Sequence, residues 1–162
     1  MGPSSFPPCC GDDARILILG SYPSPLSFES GFYYGHPRNR FWPLLAGLLG
    51  DAVPQSREEK IAFLLRRKVA LWDVLDNCDI RGAADASIRS PVYHDVEGFL
   101  ATAPVKALFF NGAQAENLFI KSGQKLTLPA KRLPSTSPAN AAWSMERLRT
   151  SWGEAILPFL NQ

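Results

Sequence analysis

Three runs along the chain, 15–20 (RILILG), 68–72 (KVALW) and 106–111 (KALFFN), are apolar without alternation, and 130–134 (AKRLP) is a weaker fourth. Continuous apolar runs of this length read as strands covered on both faces, not as strands with one face in water. Helical spacing fills the gaps. Ser56 and Glu59 have the S-x-x-E form in which hydroxyl and carboxylate cap each other's backbone donors, and Ile61, Leu64 and Leu65 follow on one face, predicting a helix over 57–67. Phe41, Leu44, Leu45 and Leu48 repeat at i, i+3, i+4 and i+7, with Gly50 as a stop. Two further helices are expected at 113–121 and from 138 to about 160, the second with Met145, Leu148, Trp152 and Ile156 turned inward. Strands alternating with helices imply right-handed βαβ units and a three-layer α/β/α domain around a short, mostly parallel sheet of about four strands. The stretch 73–104 stands apart: only 96–101 has helical spacing, and long connections inside a compact domain usually carry function.

Composition narrows the class. With 162 residues, 46% of them hydrophobic, the chain is expected to form one domain over 14–162 behind a proline-rich tail at 1–13. No apolar run approaches the roughly 20 residues that cross a bilayer, and the first eleven residues hold no basic residue, so a cytoplasmic monomer without membrane contact is expected. Seventeen Lys and Arg against 15 Asp and Glu leave a charge of +2, too little for a sequence-independent wrapper of nucleic acid but no obstacle to a local patch. Cys9, Cys10 and Cys78 have no CxxC spacing, and the two histidines, His36 and His94, form no HExxH pattern; neither a metal nor a cofactor is expected. GxGxxG, GxxxxGKS and GxSxG patterns are absent, which disfavours dinucleotide, P-loop and nucleophile-elbow chemistry.

In open parallel sheets ligands bind beyond the carboxyl ends of the strands. Those ends carry Gly20-Ser21-Tyr22-Pro23-Ser24, Trp72-Asp73, Asn111-Gly112 and Ser135-Thr136-Ser137-Pro138-Ala139-Asn140. Small, amide and hydroxyl side chains beside aromatic rings suit a flat heterocycle with carbonyl and N–H edges. The most distinctive block, Gly35-His-Pro-Arg-Asn-Arg-Phe-Trp42, lies between the first strand and the helix at Phe41.

Together these blocks resemble the uracil-DNA glycosylase superfamily, with the nearest likeness to its hypoxanthine-DNA and mismatch-specific branches. Gly20 to Ser24 resembles the first motif and Ser135 to Ala141 the second. The likeness runs from about Phe6 to the last helix. It implies a monofunctional DNA glycosylase of base-excision repair, without a lyase step, acting on double-stranded DNA that contains a deaminated base, hypoxanthine favoured and uracil second. Two departures stand out: Ser21 and Tyr22 occupy the place where many members carry a water-positioning Asn or Asp, and Ser135 and Thr136 the place where some carry histidine. In the hypoxanthine branch, the resemblance implies, the asparagine of the His-Pro-x-Asn block takes over, here Asn39.

Cleaving an N-glycosidic bond develops positive charge on the sugar and negative charge on the base. The Asn39 carboxamide oxygen is expected to orient a water, and backbone N–H groups near Gly20, Ser21 and Tyr22 to receive charge from the base. The competing role for Asn39 is a helix cap, against which Pro43 argues, since it has no N–H to bond the Asn39 carbonyl. Tyr34 would stack on the extruded base, where a Phe-Tyr-Tyr run otherwise belongs to a core. Asn111 either reads the base edge or caps the helix after it, and Trp72 either floors the pocket or packs. Ser135, Ser137 and Asn140, with Arg38 and Arg40, are the expected DNA contacts; Ser137 before Pro138 also has the form of a helix start. Two other readings stay open: a noncatalytic nucleic-acid-binding relative, and a hydrolase of free nucleosides.

Overall fold

The computed structural model describes residues 2–80 and 88–161. The elements are β1 (Ile16–Gly20), α1 (Pro25–Ser30), α2 (Phe41–Leu49), α3 (Arg57–Arg67), β2 (Val69–Asp73), β3 (Leu75–Ile80), β4 (Ile88–Tyr93), α4 (Val96–Thr102), β5 (Ala107–Asn111), α5 (Ala113–Lys121), β6 (Ala130–Leu133) and α6 (Met145–Leu160). The four expected strands form one parallel sheet in the order β2-β1-β5-β6, flanked by helices in an α/β/α sandwich. Every residue of β1 and β2 is buried, which is why both appear in the sequence as unbroken apolar runs. β6 is an edge strand that buries only Leu133, so Lys131 and Arg132 blunt it and dilute its sequence signal.

The helix expected over 57–67 forms, with Ser56 Oγ accepting from the Glu59 N–H at 3.0 Å. α2 stops at Gly50, whose φ of +69° is left-handed backbone that glycine adopts without penalty. The last helix departs from expectation. It begins at Met145, capped by Ser144, and not at Pro138. Ser137 Oγ instead accepts from Ala139 N–H two residues on, and residues 137–143 are turns. Within 73–104 the chain makes the antiparallel pair β3–β4 as well as α4. Polar LDNCDI and proline-bearing IRSPVY have no clean period of two, so this pair left no pattern to find.

The segment expected as a tail lies against the sheet. Cys9 and Leu71 exchange backbone hydrogen bonds of 2.9 Å, Gly2 and Ser5 donate to the carbonyls of Cys78 and Asp76, and the Phe6 ring packs on Phe28 and Tyr33. The outer edge of β2 is thereby covered. Among the described residues no helix is long and apolar enough to cross a membrane.

Candidate functional site

Parallel register sets Gly20 beside Asp73 and Asn111 beside Leu133, so the carboxyl ends of all four strands share one edge. A cleft of about 660 Å³ opens there, inside the range of about 300–1,000 Å³ usual for small-ligand sites. Gly20, Ser21 and Tyr22 line it from β1, Tyr34 and Asn39 from the connection to α2, and Asn111 from β5. Ser135, Ser137 and Asn140 complete it from the segment after β6. Trp72, Arg38 and Arg40 do not line it.

Trp72 lies flat on the His94 ring, centroids 4.3 Å apart, and against Phe99. Successive strand side chains point to opposite faces, so of the pair Trp72-Asp73 one residue reaches the cleft, and it is Asp73. Arg38 is exposed. Arg40 is committed elsewhere: Nη1 donates to the Trp143 carbonyl and Nη2 to the carbonyls of Ser137 at 3.2 Å and Asn140 at 3.0 Å. One guanidinium thus holds three carbonyls of the 137–143 segment in place of the helical bonds that segment lacks. Arg40→Ala is expected to lower stability by about 2 kcal/mol, the scale of hydrogen bonds to a charged group. Arg40→Lys should recover only part of this, because an ammonium lacks the planar fork; thermal unfolding of the three proteins is the check.

Asn39 sits at the centre of a hydrogen-bond chain. Its Oδ1 accepts from Phe41 N–H at 3.0 Å and from the Thr136 hydroxyl at 2.8 Å. Thr136, fully buried, accepts in turn from Asn111 Nδ2 at 3.0 Å, while its own N–H donates to Asn111 Oδ1 at 3.1 Å. A backbone N–H can only donate, so the Phe41 bond fixes which end of the Asn39 amide is oxygen. The oxygen expected to orient a water therefore already holds two donors, and Nδ2 is the end left open to the cleft. Neither alternative from the sequence stands alone: Asn39 closes an Asx turn before α2, whose own cap is Arg40, and it also lines the cleft. Asn111 does not cap α5; its amide is spent on Thr136. Thr136 passed unnoticed in the sequence because a buried hydroxyl joining two amides looks there like any threonine.

Tyrosines divide by role. Tyr33 is core, its hydroxyl donating to the Phe6 and Pro7 carbonyls. Tyr22 turns its hydroxyl to the Pro3 carbonyl, and burial with the nearby Cys78, Asp76 and Asp73 pushes that phenol up to about 12. Tyr34 has left-handed backbone, φ +54°, which a tyrosine holds only when its surroundings force it. One face of its ring is covered by Phe41, centroids 4.2 Å apart and 22° between planes. Its hydroxyl is buried, with burial and Asp73 pushing the phenol up and the Asn111 side chain acting against them.

Asp73 is the residue that sequence reasoning left without a role. It is 3% exposed, lines the cleft, and its Oδ2 is buried with no hydrogen-bond partner among the described residues. Burial alone pushes its carboxyl up to about 7, since taking the carboxylate out of water disfavours the charged form. Its approach explains Gly20: a Cβ there would lie 2.6 Å from Asp73 Oδ1 and 3.1 Å from the Tyr34 hydroxyl.

Comparison with known proteins gives the context. The family model of the uracil DNA glycosylase superfamily matches residues 7–160. A hypoxanthine DNA glycosylase of Methanosarcina barkeri is 32% identical over 161 residues, covering 96% of this chain and 99% of that protein. Its counterpart of the same name in Methanosarcina acetivorans is 33% identical over 156 residues, covering 93% and 95%. The solution NMR structure of a candidate uracil DNA glycosylase from Methanosarcina acetivorans superposes with a TM-score of 0.80 at 32% identity, covering 98% of each chain.

Proposed function

The chain belongs to the uracil DNA glycosylase superfamily, and from that premise we propose that it is a monofunctional DNA glycosylase releasing deaminated bases, hypoxanthine before uracil. The observation that carries the reading is the Asn39–Thr136–Asn111 chain lining a cleft with room for an extruded nucleotide. The names of the two relatives support hypoxanthine as the preferred base.

A base inside a duplex reaches such a cleft only when rotated out of the stack. The Tyr34 ring, which lines the cleft and is backed by Phe41, would receive it. Nδ2 of Asn39 would hold a water by its oxygen, leaving a second lone pair for the anomeric carbon, and peptide N–H groups at Ser21 and Tyr22 would take up charge from the departing base. Such a site works by positioning more than by basicity.

Ser135 and Ser137 suit the phosphates. Each hydroxyl oxygen accepts a backbone N–H, from Ser137 at 3.1 Å and Ala139 at 3.2 Å, which leaves the O–H free to donate outward. Asn140 spends one amide hydrogen on the Ser135 carbonyl at 3.0 Å. DNA would be gripped over a short span, in keeping with a net charge of only +2.

Duplex oligonucleotides carrying one deoxyinosine, deoxyuridine or deoxyxanthosine test the reading. Abasic sites are expected fastest from deoxyinosine, then deoxyuridine, and without strand scission until alkali is added. Binding without release of any base would instead mark a noncatalytic relative. Release from free nucleosides, unaffected by excess undamaged duplex, would mark a nucleoside hydrolase.

A further inference from the structure

Two buried polar atoms face the cleft, Asp73 Oδ2, which has no hydrogen-bond partner among the described residues, and the Tyr34 hydroxyl, which only the Asn111 side chain reaches. An unpaired buried group is costly and rare outside functional sites, and these two side chains flank the same glycine. The sheet order also separates two ends of the crevice. Asp73 ends β2 at one side, Thr136 follows β6 at the other, and three strand spacings of about 4.8 Å lie between those strands. Serine hydroxyls and the Asn39 network cluster toward the β6 side. The Asp73 carboxyl ends β2, and the Tyr34 hydroxyl meets it beside Gly20, the end of the neighbouring strand β1. A nucleotide whose phosphate meets the serines therefore sends its base toward Asp73.

We propose that Asp73 is the general acid of this site, delivering a proton from Oδ2 to the departing purine. The proposal rests on the glycosylase reading above. As the bond between C1′ and the base breaks, its electron pair goes to the base, which takes the Asp73 proton and leaves neutral. Water forms the new bond to C1′ and gives up a proton, directly or through solvent, to the Asp73 carboxylate. Atoms and charge balance, since the net change is addition of water across the glycosidic bond.

The surroundings keep the acid protonated at the right pH. Its carboxyl titrates near 7 because of burial, and a general acid works best when it titrates near the operating pH. Among the described residues it has no ion pair. Tyr22, Tyr33 and Tyr34 beside it are all pushed up by burial first and by Asp73 among the nearby charges, so they stay neutral. The hairpin side contributes His94, whose Nδ1 bonds the Asp73 carbonyl at 2.7 Å and whose Nε2 lies 3.4 Å from Asp76. Asp76 and Cys78 act on Tyr22 from that side, and among the described residues no cation offsets them at the carboxyl.

The test is kcat/KM for a deoxyinosine duplex from about pH 5 to about pH 9, which reports groups of the free enzyme. The wild type should be level below about pH 6 and fall about tenfold per unit above about pH 7. Asp73→Asn keeps the shape but has no acid proton; it should be slower by about 10²-fold at pH 6, with that limb gone. A purely structural role would leave the limb in place. Titration of the wild-type carboxyl by NMR adds a readout independent of any variant's folding, with a midpoint near 7 expected. Asp73→Asn matching the wild-type rate and profile, a wild-type rate rising through pH 7, or a carboxyl midpoint below about 5 would each overturn the proposal. A wild type that releases no base overturns the glycosylase reading itself, which is a different result from an active wild type with an indifferent Asp73.

Discussion

Asn39→Ala is expected to slow base release by about 10²–10³-fold, the scale of losing one preorganised donor from a reacting centre. Its stability cost should be visible too. Oδ1 accepts the Phe41 N–H and the Thr136 hydroxyl, and removing it strands two donors, both on fully buried residues. At about 1–3 kcal/mol for a stranded buried group, the variant should unfold about 2–12 °C lower, using about 2–4 °C per kcal/mol for a chain of this size. Asn39→Asp separates the two effects. A carboxylate still accepts from both donors, so the melting temperature should return close to wild type. The amide hydrogens are gone, so excision should stay at least about tenfold slow. Thermal unfolding and single-turnover release on one deoxyinosine duplex measure both. Full activity in Asn39→Asp would move the catalytic contribution from the nitrogen to the oxygen end of this side chain.

Much of the framework was legible because burial on both faces leaves a plain mark: β1, β2 and β5 are apolar runs, and α3 carries its capping serine and glutamate in sequence. Strand-end residues could be read because a parallel sheet brings its carboxyl ends to one edge, and nine of the twelve residues singled out line the cleft. The misses share a cause, since each depends on a partner far along the chain. Arg40 looks like a DNA contact until the carbonyls of 137–143 surround it. Ser137-Pro138 looks like a helix start until those turns replace the helix. Asp73 looks like any acid at a strand end; only the folded structure reveals that it is buried and that no cation among the described residues answers it. Trp72 was the more conspicuous neighbour, and strand alternation sends it to the other face, onto His94.

Asp73→Asn should make the protein more stable relative to wild type as pH rises. In the unfolded chain the carboxyl titrates near 3.8, and in the folded protein near 7, raised by burial. Between those values the folded chain holds a proton that the unfolded chain has released, so wild-type stability falls as pH rises through this window. Well below pH 3.8 the carboxyl is neutral in both states and costs nothing; well above pH 7 it is ionised in both and the whole penalty, about 4 kcal/mol, is present. An asparagine carries its own burial cost, but that cost is the same at every pH and cancels when two conditions are compared. From about pH 4.5 to about pH 8 the stability of the variant relative to wild type should therefore increase by about 3 kcal/mol, or roughly 6–12 °C in melting temperature. Denaturant unfolding of both proteins at the two pH values is decisive, and parallel curves would mean that Asp73 titrates as an ordinary surface carboxylate. The same substitution is expected to cost activity at acidic pH while stabilising the fold at alkaline pH. That opposition is what a carboxyl held out of water for its proton should produce, and a side chain that merely packed against Gly20 would not show it.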